Sequence, residues 1–210
     1  MVNLSIENIS KLVISAYDSI ANEYTDAYSE YDIEDATHLK EFSKLLTGNC
    51  ILDMGCGTGV YSSFLVNMGL DVFGIDASEN MLIIANRIFP NIRFDNQNIL
   101  HTSFSNTQFD GIVLSYVINH FNTDGLEQLR DEIDRILKPN GVIYISVHMG
   151  DSEEIVNDPL DASIKIYYNF LSKEKLDLLF SKYNCLYSFT RASFGESEFL
   201  CDKMFLIYRK

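Results

Sequence analysis

The chain has 210 residues, of which 47% are hydrophobic and 22% charged, a composition typical of one soluble globular domain with a substantial core. It carries 30 acidic residues against 16 Lys and Arg, for a formal net charge of -14, and it has no basic run. Because phosphate groups are neutralised by Lys and Arg, nucleic acids and anionic membranes are disfavoured as partners.

The four cysteines, Cys50, Cys56, Cys185 and Cys201, are spaced without a C-x-x-C pair, so they form neither a zinc pattern nor an evident disulfide framework. Reduced thiols and a cytoplasmic location are therefore expected. The N-terminus lacks a basic stretch followed by an apolar core, and no apolar run approaches the roughly 18 residues of a membrane-spanning helix. Neither a leader sequence nor a membrane span is expected.

Two helices are predicted before the first strand. Residues 10 to 28 place apolar side chains three and four positions apart, which indicates an amphipathic helix. A second helix is predicted around Thr37 to Leu46, and the polar stretch SEYDIEDA, residues 29 to 36, predicts a mobile connection between the two.

The sequence NCILDMGCGTGV, residues 49 to 60, predicts a buried strand that ends in a glycine loop. Gly55, Gly57 and Gly59 follow Asp53 at alternate positions, and a helical pattern, VYSSFLVNM, comes directly after them. Glycine takes positive φ and has no Cβ, so this loop can turn sharply and approach a ligand closely. A strand, a glycine loop and a helix in this order predict the ligand-binding opening of a doubly wound α/β sheet.

Two details of the loop distinguish between possible ligands. A dinucleotide fingerprint needs its third glycine at position 60, which is Val60 here, and the acidic Asp53 disfavours a pyrophosphate. An acid suits a cation instead, and the run D-x-G-x-G-x-G of residues 53 to 59 closely resembles the first motif of the class I S-adenosylmethionine-dependent methyltransferases. A tight turn that binds no ligand would need neither three glycines nor an acid.

The resemblance implies a fold and a cofactor. The fold is a doubly wound seven-stranded α/β sheet, mostly parallel with an antiparallel C-terminal hairpin strand, in a single domain of residues 1–210. Residues 1–46 are expected to form a helical lid over S-adenosylmethionine, in which Tyr24 reaches the methionyl end of the cofactor while Tyr17 and Tyr28 are packing residues. The loop residues implied to hold the cofactor are Asp53, Gly55, Cys56, Gly57 and Gly59.

The second and third predicted strands supply the nucleoside contacts. DVFGID predicts a strand that ends at Asp76, where a carboxylate can accept hydrogen bonds from a ribose diol, and the family uses this position in the same way. Ser78 is predicted to cap the next helix. IRFDNQN predicts the third strand, and Asn98 replaces the family's commoner aspartate but keeps an acceptor oxygen for adenine. The further contacts implied are Ala77, Met81 and Ile99.

FDGIVLSY is a continuous apolar run that predicts a fourth strand, buried on both faces. The strand leads into Ser115 and Tyr116 and lacks the proline motifs with which nucleic-acid methyltransferases of the class continue, which disfavours those subclasses. Ser115 is expected to contact the cofactor. The acids that hold magnesium in catechol-type members are also missing, so no metal site is expected.

The remaining elements complete the predicted sheet. Asp124 and Glu127 predict a capping box, and LKPNG predicts a turn into a fifth strand, VIYISVH. Residues 149 to 171 are the least regular part of the chain, and in the family this insertion often lines the substrate pocket. Ser172 is predicted to cap the last helix, and the runs CLYSFTR and KMFLIYR predict a closing antiparallel pair.

The mechanism implied by the resemblance is in-line displacement of the sulfonium methyl by an O, N or C nucleophile of a small molecule. A hydroxyl or a carbon acid needs a general base, for which His148 and His120 are the candidates, since imidazole titrates near neutrality. Tyr116 is a candidate for orienting the substrate. Two alternatives stay open: a non-catalytic S-adenosylmethionine-binding module or partner subunit with a closed substrate pocket, and the less favoured dinucleotide oxidoreductase.

Overall fold

The fold is built around a seven-stranded sheet. A computed structural model describes residues 4–29, 33–193 and 201–210 of the chain. The first elements are α1 (Ile6–Ala27), α2 (Ile33–Leu45), β1 (Cys50–Met54), α3 (Val60–Asn67), β2 (Asp71–Asp76), α4 (Glu79–Ile88), β3 (Arg93–Asn96) and β4 (Phe109–Ser115). A 3-10 turn (Ile118–His120) then leads to α5 (Thr123–Ile136), β5 (Leu137–His148), β6 (Glu153–Asn157), β7 (Lys165–Asn169), α6 (Lys173–Leu179), β8 (Asn184–Arg191) and β9 (Lys203–Arg209).

The strand order confirms the predicted architecture. The sheet runs β3-β2-β1-β4-β5-β9-β8, with its first five strands parallel and β9 antiparallel to both of its neighbours. The order reverses between β1 and β4, and open α/β sheets bind ligands outside the carboxyl ends of their strands at such a point. The loops after β1, β2 and β4 are therefore expected to frame the functional site.

Alternate side chains of the strands fill two buried layers. Ile51 of β1 and Val113 of β4 pack with α2 and α3 on one face, while Leu52 and Leu114 pack with α5 and α6 on the other. A parallel sheet covered by helices on both faces needs nearly continuous apolar strands. This requirement explains why the strands of the core could be identified from short apolar runs.

Side-chain caps set where the helices begin. Ser78 and Ser172 cap α4 and α6 as predicted. The predicted capping box at Asp124 is wrong, because Asn122 caps α5 and its side-chain oxygen accepts a hydrogen bond from the Gly125 amide at 2.9 Å. Within the predicted connection of residues 29 to 36, residues 30–32 lie outside the described part, and α2 already begins at Ile33.

Two further differences from the sequence expectations lie in the second half of the chain. The LKPNG segment is assigned to the beginning of β5, but it contains the predicted turn: residues 138–141 bulge out between the pairs Phe109–Leu137 and Gly111–Val142, and Asn140 has a φ of 63°. Residues 149–171 contain the antiparallel hairpin of β6 and β7. Ile166 and Tyr168 of this hairpin pack against Ala16 of α1, so the hairpin supports the N-terminal helix.

Candidate active site

Two adjoining cavities open at the carboxyl ends of β1, β2 and β4. The first, of about 190 Å³, lies beneath α1 and reaches the loops after β2 and β3. The second, of about 410 Å³, lies between the glycine loop, α2 and the loop that joins β6 to β7. Because they share lining residues, they are two parts of one site. The shared residues are Tyr17, Tyr24, Gly55, Gly57, Ser115 and Tyr116.

The glycine loop makes a turn that requires glycine at three positions. The φ angles of Gly55, Gly57 and Gly59 are 78°, 52° and 81°, in the left-handed region that other residues rarely adopt. At Gly55 a Cβ would lie 2.5 Å from the side chain of Val117, so the absence of a side chain also permits close approach to the end of β4. At Gly57 a Cβ would meet no atom within 4 Å, because this residue faces the cavities.

Gly59 and Cys56 have different places in the loop. Gly59 lines neither cavity, and a Cβ there would lie 2.6 Å from the ring of Phe94. Gly59 therefore allows the beginning of α3 to pack closely against the sheet, and its contact with a cofactor stays a prediction. Cys56 lines the second cavity, and its amide is tied to Ile75 O of β2 at 3.0 Å.

Asp76 ties the glycine loop to the end of β2. Its Oδ2 atom accepts a hydrogen bond from the Gly57 amide and its Oδ1 atom accepts one from the Ser78 amide, each at 2.8 Å. Burial raises the pKa of Asp76, although the amide bonds oppose the rise. Each carboxylate oxygen has a second lone pair, so Asp76, which lines the first cavity, can still accept hydroxyl groups of a ligand.

Asp53 lies beneath the glycine loop and lines the second cavity. It is only 1% exposed, and the Ser62 hydroxyl donates to its Oδ2 atom at 2.5 Å. Burial raises the pKa of Asp53 to about 7. Since a cation beside a carboxyl group favours the ionised form, the site is suited to a positively charged ligand group.

The residues predicted to surround a nucleobase all line the first cavity. Met81 is 1% exposed and packs beneath α1, and Ile99 is also buried and lines the same cavity. Asn98 Oδ1 accepts a hydrogen bond from the Leu100 amide at 2.9 Å and has a second lone pair for a ligand. The structure also places Ala77 and Ser115 on this wall.

Helix α1 covers the first cavity and is fastened to it at two points. Asp18 Oδ1 accepts hydrogen bonds from the Ser78 hydroxyl at 2.6 Å and the Asn80 amide at 3.2 Å. Tyr17 is expected from the sequence to be a packing residue, but it lines both cavities. Its hydroxyl oxygen lies 2.9 Å from His120 Nε2. The covering residues of α1 are Ser10, Val13, Ile14, Tyr17 and Tyr24.

His120 has hydrogen-bonding partners on both ring nitrogens. Its Nδ1 atom lies 3.0 Å from the Tyr167 carbonyl, which can only accept, so Nδ1 carries the proton and Nε2 accepts from the Tyr17 hydroxyl. Burial lowers the pKa of His120 to about 4. An imidazole this weakly basic is a poor general base near neutral pH. The geometry therefore favours a role for His120 in positioning α1.

His148 lies at the end of β5 and lines the second cavity. Its backbone is fixed by Asn119, whose side chain donates to the His148 carbonyl at 3.0 Å and accepts from the His148 amide at 3.1 Å. The ring lies 5.0 Å from that of Tyr116, and Nδ1 lies 3.4 Å from Cys201 Sγ. The imidazole is thus held at the wall of the larger cavity, beyond the glycine loop.

Tyr116 adopts the left-handed backbone conformation, with φ of 56°, directly after β4. This conformation costs a non-glycine residue about 1–2 kcal/mol, and such strain concentrates at functional sites. Its hydroxyl donates to Asp35 Oδ1 at 3.1 Å, and the Tyr61 hydroxyl donates to the other oxygen of Asp35. Lys203 Nζ lies 5.4 Å from the centre of the Tyr116 ring.

Several side chains of the second cavity could not be predicted from the sequence because they come from distant segments of the chain. The one available signal is the run of tyrosines near the N-terminus, of which Tyr17, Tyr24 and Tyr28 all line the cavity. The others lie on α2, α3, the hairpin of β6 and β7, and β9. These residues are Asp35, Tyr61, Asp158, Tyr168 and Lys203.

Within residues 4–29, 33–193 and 201–210, no group of three or more His, Cys, Asp or Glu side chains is arranged to hold a metal ion. In the same part of the chain, no helix combines the length and the apolar character needed to cross a membrane. All four cysteines are free thiols.

Comparison with known proteins gives a consistent result. Residues 51–141 match the family model described as a methyltransferase domain. A protein of Alkaliphilus oremlandii, described as an uncharacterized methyltransferase, is 32% identical over 163 residues, which are 76% of this chain and 73% of that protein.

Two solved structures share the fold. The Burkholderia thailandensis 1,6-didemethyltoxoflavin-N1-methyltransferase, with bound 1,6-didemethyltoxoflavin and S-adenosylhomocysteine, has a TM-score of 0.73 at 18% identity, covering 99% of this chain and 91% of its own. The [4+2]-cyclase SpnF has a TM-score of 0.72 at 13% identity, covering 93% and 94%. At these identities the similarity concerns the fold alone.

Proposed function

Because this chain belongs to the class I S-adenosylmethionine-dependent methyltransferases, we propose that it methylates an oxygen, nitrogen or carbon nucleophile of a small molecule. The observation that carries the proposal is the pair of joined cavities at the switch point of the sheet. The first offers polar groups suited to a nucleoside, among them Asp76 and Asn98, and the second continues past the glycine loop to His148. A cofactor and an acceptor can thus meet at the junction.

S-adenosylmethionine fits the residues that line the first cavity and the loop. Asp76 would accept the ribose hydroxyls, Asn98 and Ile99 would flank adenine, and Asp53 would face the ammonium end. The open space beside Gly57 leaves room for the ligand against the backbone. Tyr24, which lines both cavities, would lie at the methionyl end.

When bound, the cofactor supplies an electrophilic methyl group. The chain's own residues would then contribute mainly by positioning, for which effective molarities of about 10⁵ M or more are possible in well-oriented systems. In this proposal α1 forms the lid over the cofactor, whereas α2 packs on the sheet through Leu39 and Phe42 and adds Asp35 to the acceptor cavity. His148 would accept the proton of a hydroxyl nucleophile.

A small-molecule acceptor is supported by three observations. The second cavity, at about 410 Å³, lies in the range of small-ligand sites. The net charge of -14 opposes binding to nucleic acid. The structurally similar enzyme of Burkholderia thailandensis holds 1,6-didemethyltoxoflavin.

A protein that binds S-adenosylmethionine without transferring its methyl group is the second candidate, because a structure with the same fold is named a [4+2]-cyclase. Such a module is expected to have a closed acceptor pocket, whereas the second cavity here is open and lined by polar side chains. Turnover of methyl-labelled cofactor with a panel of metabolites separates the two candidates.

S-adenosylhomocysteine is expected to raise the melting temperature, and NAD is not. Ligand at 100 times its dissociation constant adds about 2.7 kcal/mol to the free energy of unfolding. For a domain of this size the shift is roughly 5 to 11 °C. A thermal-shift titration measures it, and the absence of any shift at saturating S-adenosylhomocysteine would reject the cofactor assignment.

Affinity for S-adenosylhomocysteine is expected to rise with pH up to about 7. Burial raises the pKa of Asp53 to about 7, so the carboxyl group must lose a proton before it can pair with the ligand's ammonium. One linked proton changes affinity by at most about tenfold per pH unit. Calorimetric titration between pH 5.5 and 8 should show this slope in the parent and a flatter one in Asp53→Asn. Equal pH dependence of affinity in the two proteins would show that the ligand's ammonium group does not pair with Asp53.

The free energy of unfolding of the unliganded protein should fall as pH rises, whereas the affinity for S-adenosylhomocysteine should increase. Since the folded pKa of Asp53 is higher than its ordinary value of 3.8, this group stabilises the fold fully below pH 3.8 and loses that contribution as pH rises through about 7. Urea unfolding of the parent and of Asp53→Asn over the same range measures the difference between them. The parent should lose stability relative to the variant as pH rises.

Gly57→Val is expected to weaken S-adenosylhomocysteine binding roughly five- to 150-fold. The new Cβ would have no protein atom within 4 Å, so the side chain would project into the cavities, and overfilling a packed site costs about 1–3 kcal/mol. Gly69→Val is the matched control, because Gly69 also has positive φ and room for a Cβ but lines neither cavity. Both variants should lose similar stability in thermal unfolding, and equal binding by the two would contradict the placement of the ligand.

A further inference from the structure

A buried carboxylate in the second cavity has no part in holding the cofactor as proposed. Asp158 lies in the loop between β6 and β7 and is 6% exposed. The amides of Leu160 and Asp161 both donate to its Oδ1 atom, at 2.8 and 3.4 Å. Among the described residues, Oδ2 accepts no hydrogen bond and no ion pair includes Asp158. Asp158 therefore lines the cavity with one carboxylate oxygen that has no partner in the described part of the chain.

Tyrosine side chains surround the same cavity. Burial above all, followed by neighbouring phenols and carboxylates that include Asp158, raises the pKa of Tyr17, Tyr24 and Tyr168. These phenols therefore stay neutral and lie within electrostatic reach of Asp158. The face of a phenol ring attracts cations, as the position of Lys203 Nζ over Tyr116 illustrates. The tyrosines of the cavity are Tyr17, Tyr24, Tyr28, Tyr61, Tyr116 and Tyr168.

The charged side chains of the second cavity are mostly negative. Among the described residues, three carboxylates, from Asp35, Asp53 and Asp158, line it together with the ammonium group of Lys203. Asp53 lies where the ammonium end of the cofactor is placed, and Asp35 accepts the hydroxyls of Tyr61 and Tyr116. Asp158 is thus the carboxylate whose position is explained neither by the cofactor nor by phenol donors.

We propose that the methyl acceptor carries an ammonium group, which docks between Asp158 and the tyrosine rings of the second cavity. The inference rests on the proposed function and narrows it to a substrate class. A carboxylate oxygen together with aromatic faces is an arrangement that recognises an organic cation through charge and through the π systems. It disfavours an acceptor that carries a carboxylate at the same place.

The docked ammonium is distinct from the nucleophile. An ammonium beside a carboxylate keeps its proton and therefore has no lone pair with which to attack. The reacting atom is a second group of the same molecule, which forms a bond to the methyl carbon while the carbon–sulfur bond breaks and its electron pair passes to sulfur. The proton of a hydroxyl nucleophile passes to His148 or to water.

Three phenols that differ in one charge test the proposal. Tyramine, 4-(2-hydroxyethyl)phenol and 4-hydroxyphenylacetate share a ring and a nucleophile but carry an ammonium, a neutral hydroxyl and a carboxylate. Calorimetry with protein saturated by S-adenosylhomocysteine should show tyramine binding about tenfold tighter than the alcohol, with the acid weakest. An aliphatic set, 3-aminopropan-1-ol, propane-1,3-diol and 3-hydroxypropanoate, gives the same comparison without the ring.

Two variants assign the preference to Asp158. Asp158→Asn keeps an acceptor for the amides of Leu160 and Asp161, so the loop retains its turn. It should weaken tyramine binding about tenfold and alcohol binding less than twofold, leaving S-adenosylhomocysteine binding intact. Glu154→Gln removes the same charge from an exposed position on the same hairpin and should change none of these affinities.

The proposal is overturned if amine and alcohol bind equally in both sets, if neither amine binds the S-adenosylhomocysteine complex, or if Asp158→Asn leaves the preference unchanged. It is also overturned if Asp158→Asn weakens binding of S-adenosylmethionine but not of S-adenosylhomocysteine, since Asp158 would then serve the sulfonium. Failure of the parent protein to bind S-adenosylhomocysteine would instead reject the proposed function.

Discussion

Asp76→Ala is expected to weaken binding of S-adenosylhomocysteine by about 10²- to 10⁴-fold. A carboxylate that accepts both ribose hydroxyls makes two charge-assisted hydrogen bonds, each worth about 1.5–3 kcal/mol. Together they correspond to about 3–6 kcal/mol, which gives the expected factor. Calorimetric titration of the parent and the variant measures the change.

The same substitution is expected to lower the free energy of unfolding. Asp76 lies at the rim of the sheet, but it accepts hydrogen bonds from the amides of Gly57 and Ser78. Leaving a buried donor without its acceptor costs about 1–3 kcal/mol. Urea unfolding should therefore show a loss of this size, and the glycine loop should become less ordered.

Two further variants separate these effects. Asp76→Asn keeps one neutral acceptor and should fall between the parent and Asp76→Ala in affinity. Asp71→Ala removes an exposed carboxylate from the beginning of the same strand. Asp71 lines neither cavity, so this variant should bind S-adenosylhomocysteine as the parent does. Parent-like affinity in Asp76→Ala would show that the ribose contact lies elsewhere.

The sheet and the glycine loop could be predicted because their signals are local. Strands buried on both faces appear as short apolar runs, and the loop between β1 and α3 needs glycine for its positive φ angles. The position of Asp76 then follows from the rule that parallel strands end at one edge of the sheet. A local pattern does not identify the capping residue where two suitable side chains lie close together. At α5, Asn122 caps the helix two residues before Asp124.

The acceptor cavity could not be predicted because its walls come from segments far apart in the chain. Asp35, Asp158 and Lys203 belong to α2, the β6–β7 loop and β9, and each resembles an ordinary surface charge in the sequence. Tyr17 shows a second difficulty, since a helical stripe that faces a cavity has the same period as one that faces the core. Only the placement of α1 across the ends of the strands distinguishes the two.

His148→Ala is expected to lower turnover of a hydroxyl acceptor by about 10²- to 10⁴-fold, the usual contribution of a positioned general base. His148 lines the acceptor cavity, its backbone is fixed by Asn119, and its Nδ1 atom contacts Cys201, which together hold the imidazole at the wall of this cavity. His120→Ala should have a much smaller effect, because burial lowers the pKa of His120 to about 4 and Nε2 already accepts from Tyr17.

The measurement is transfer of a labelled methyl group to 4-(2-hydroxyethyl)phenol or tyramine, followed against pH. With S-adenosylmethionine saturating, so that Asp53 does not limit the rate, removing the base should abolish the acidic limb of the kcat/KM profile for the acceptor while leaving affinity for S-adenosylhomocysteine nearly intact, a combination that a structural role would not produce. His101→Ala is the matched control, because His101 is exposed and lines neither cavity. If His148→Ala keeps full activity and an unchanged pH profile, His148 is not the base, and an amine nucleophile that attacks in its neutral form becomes the better explanation.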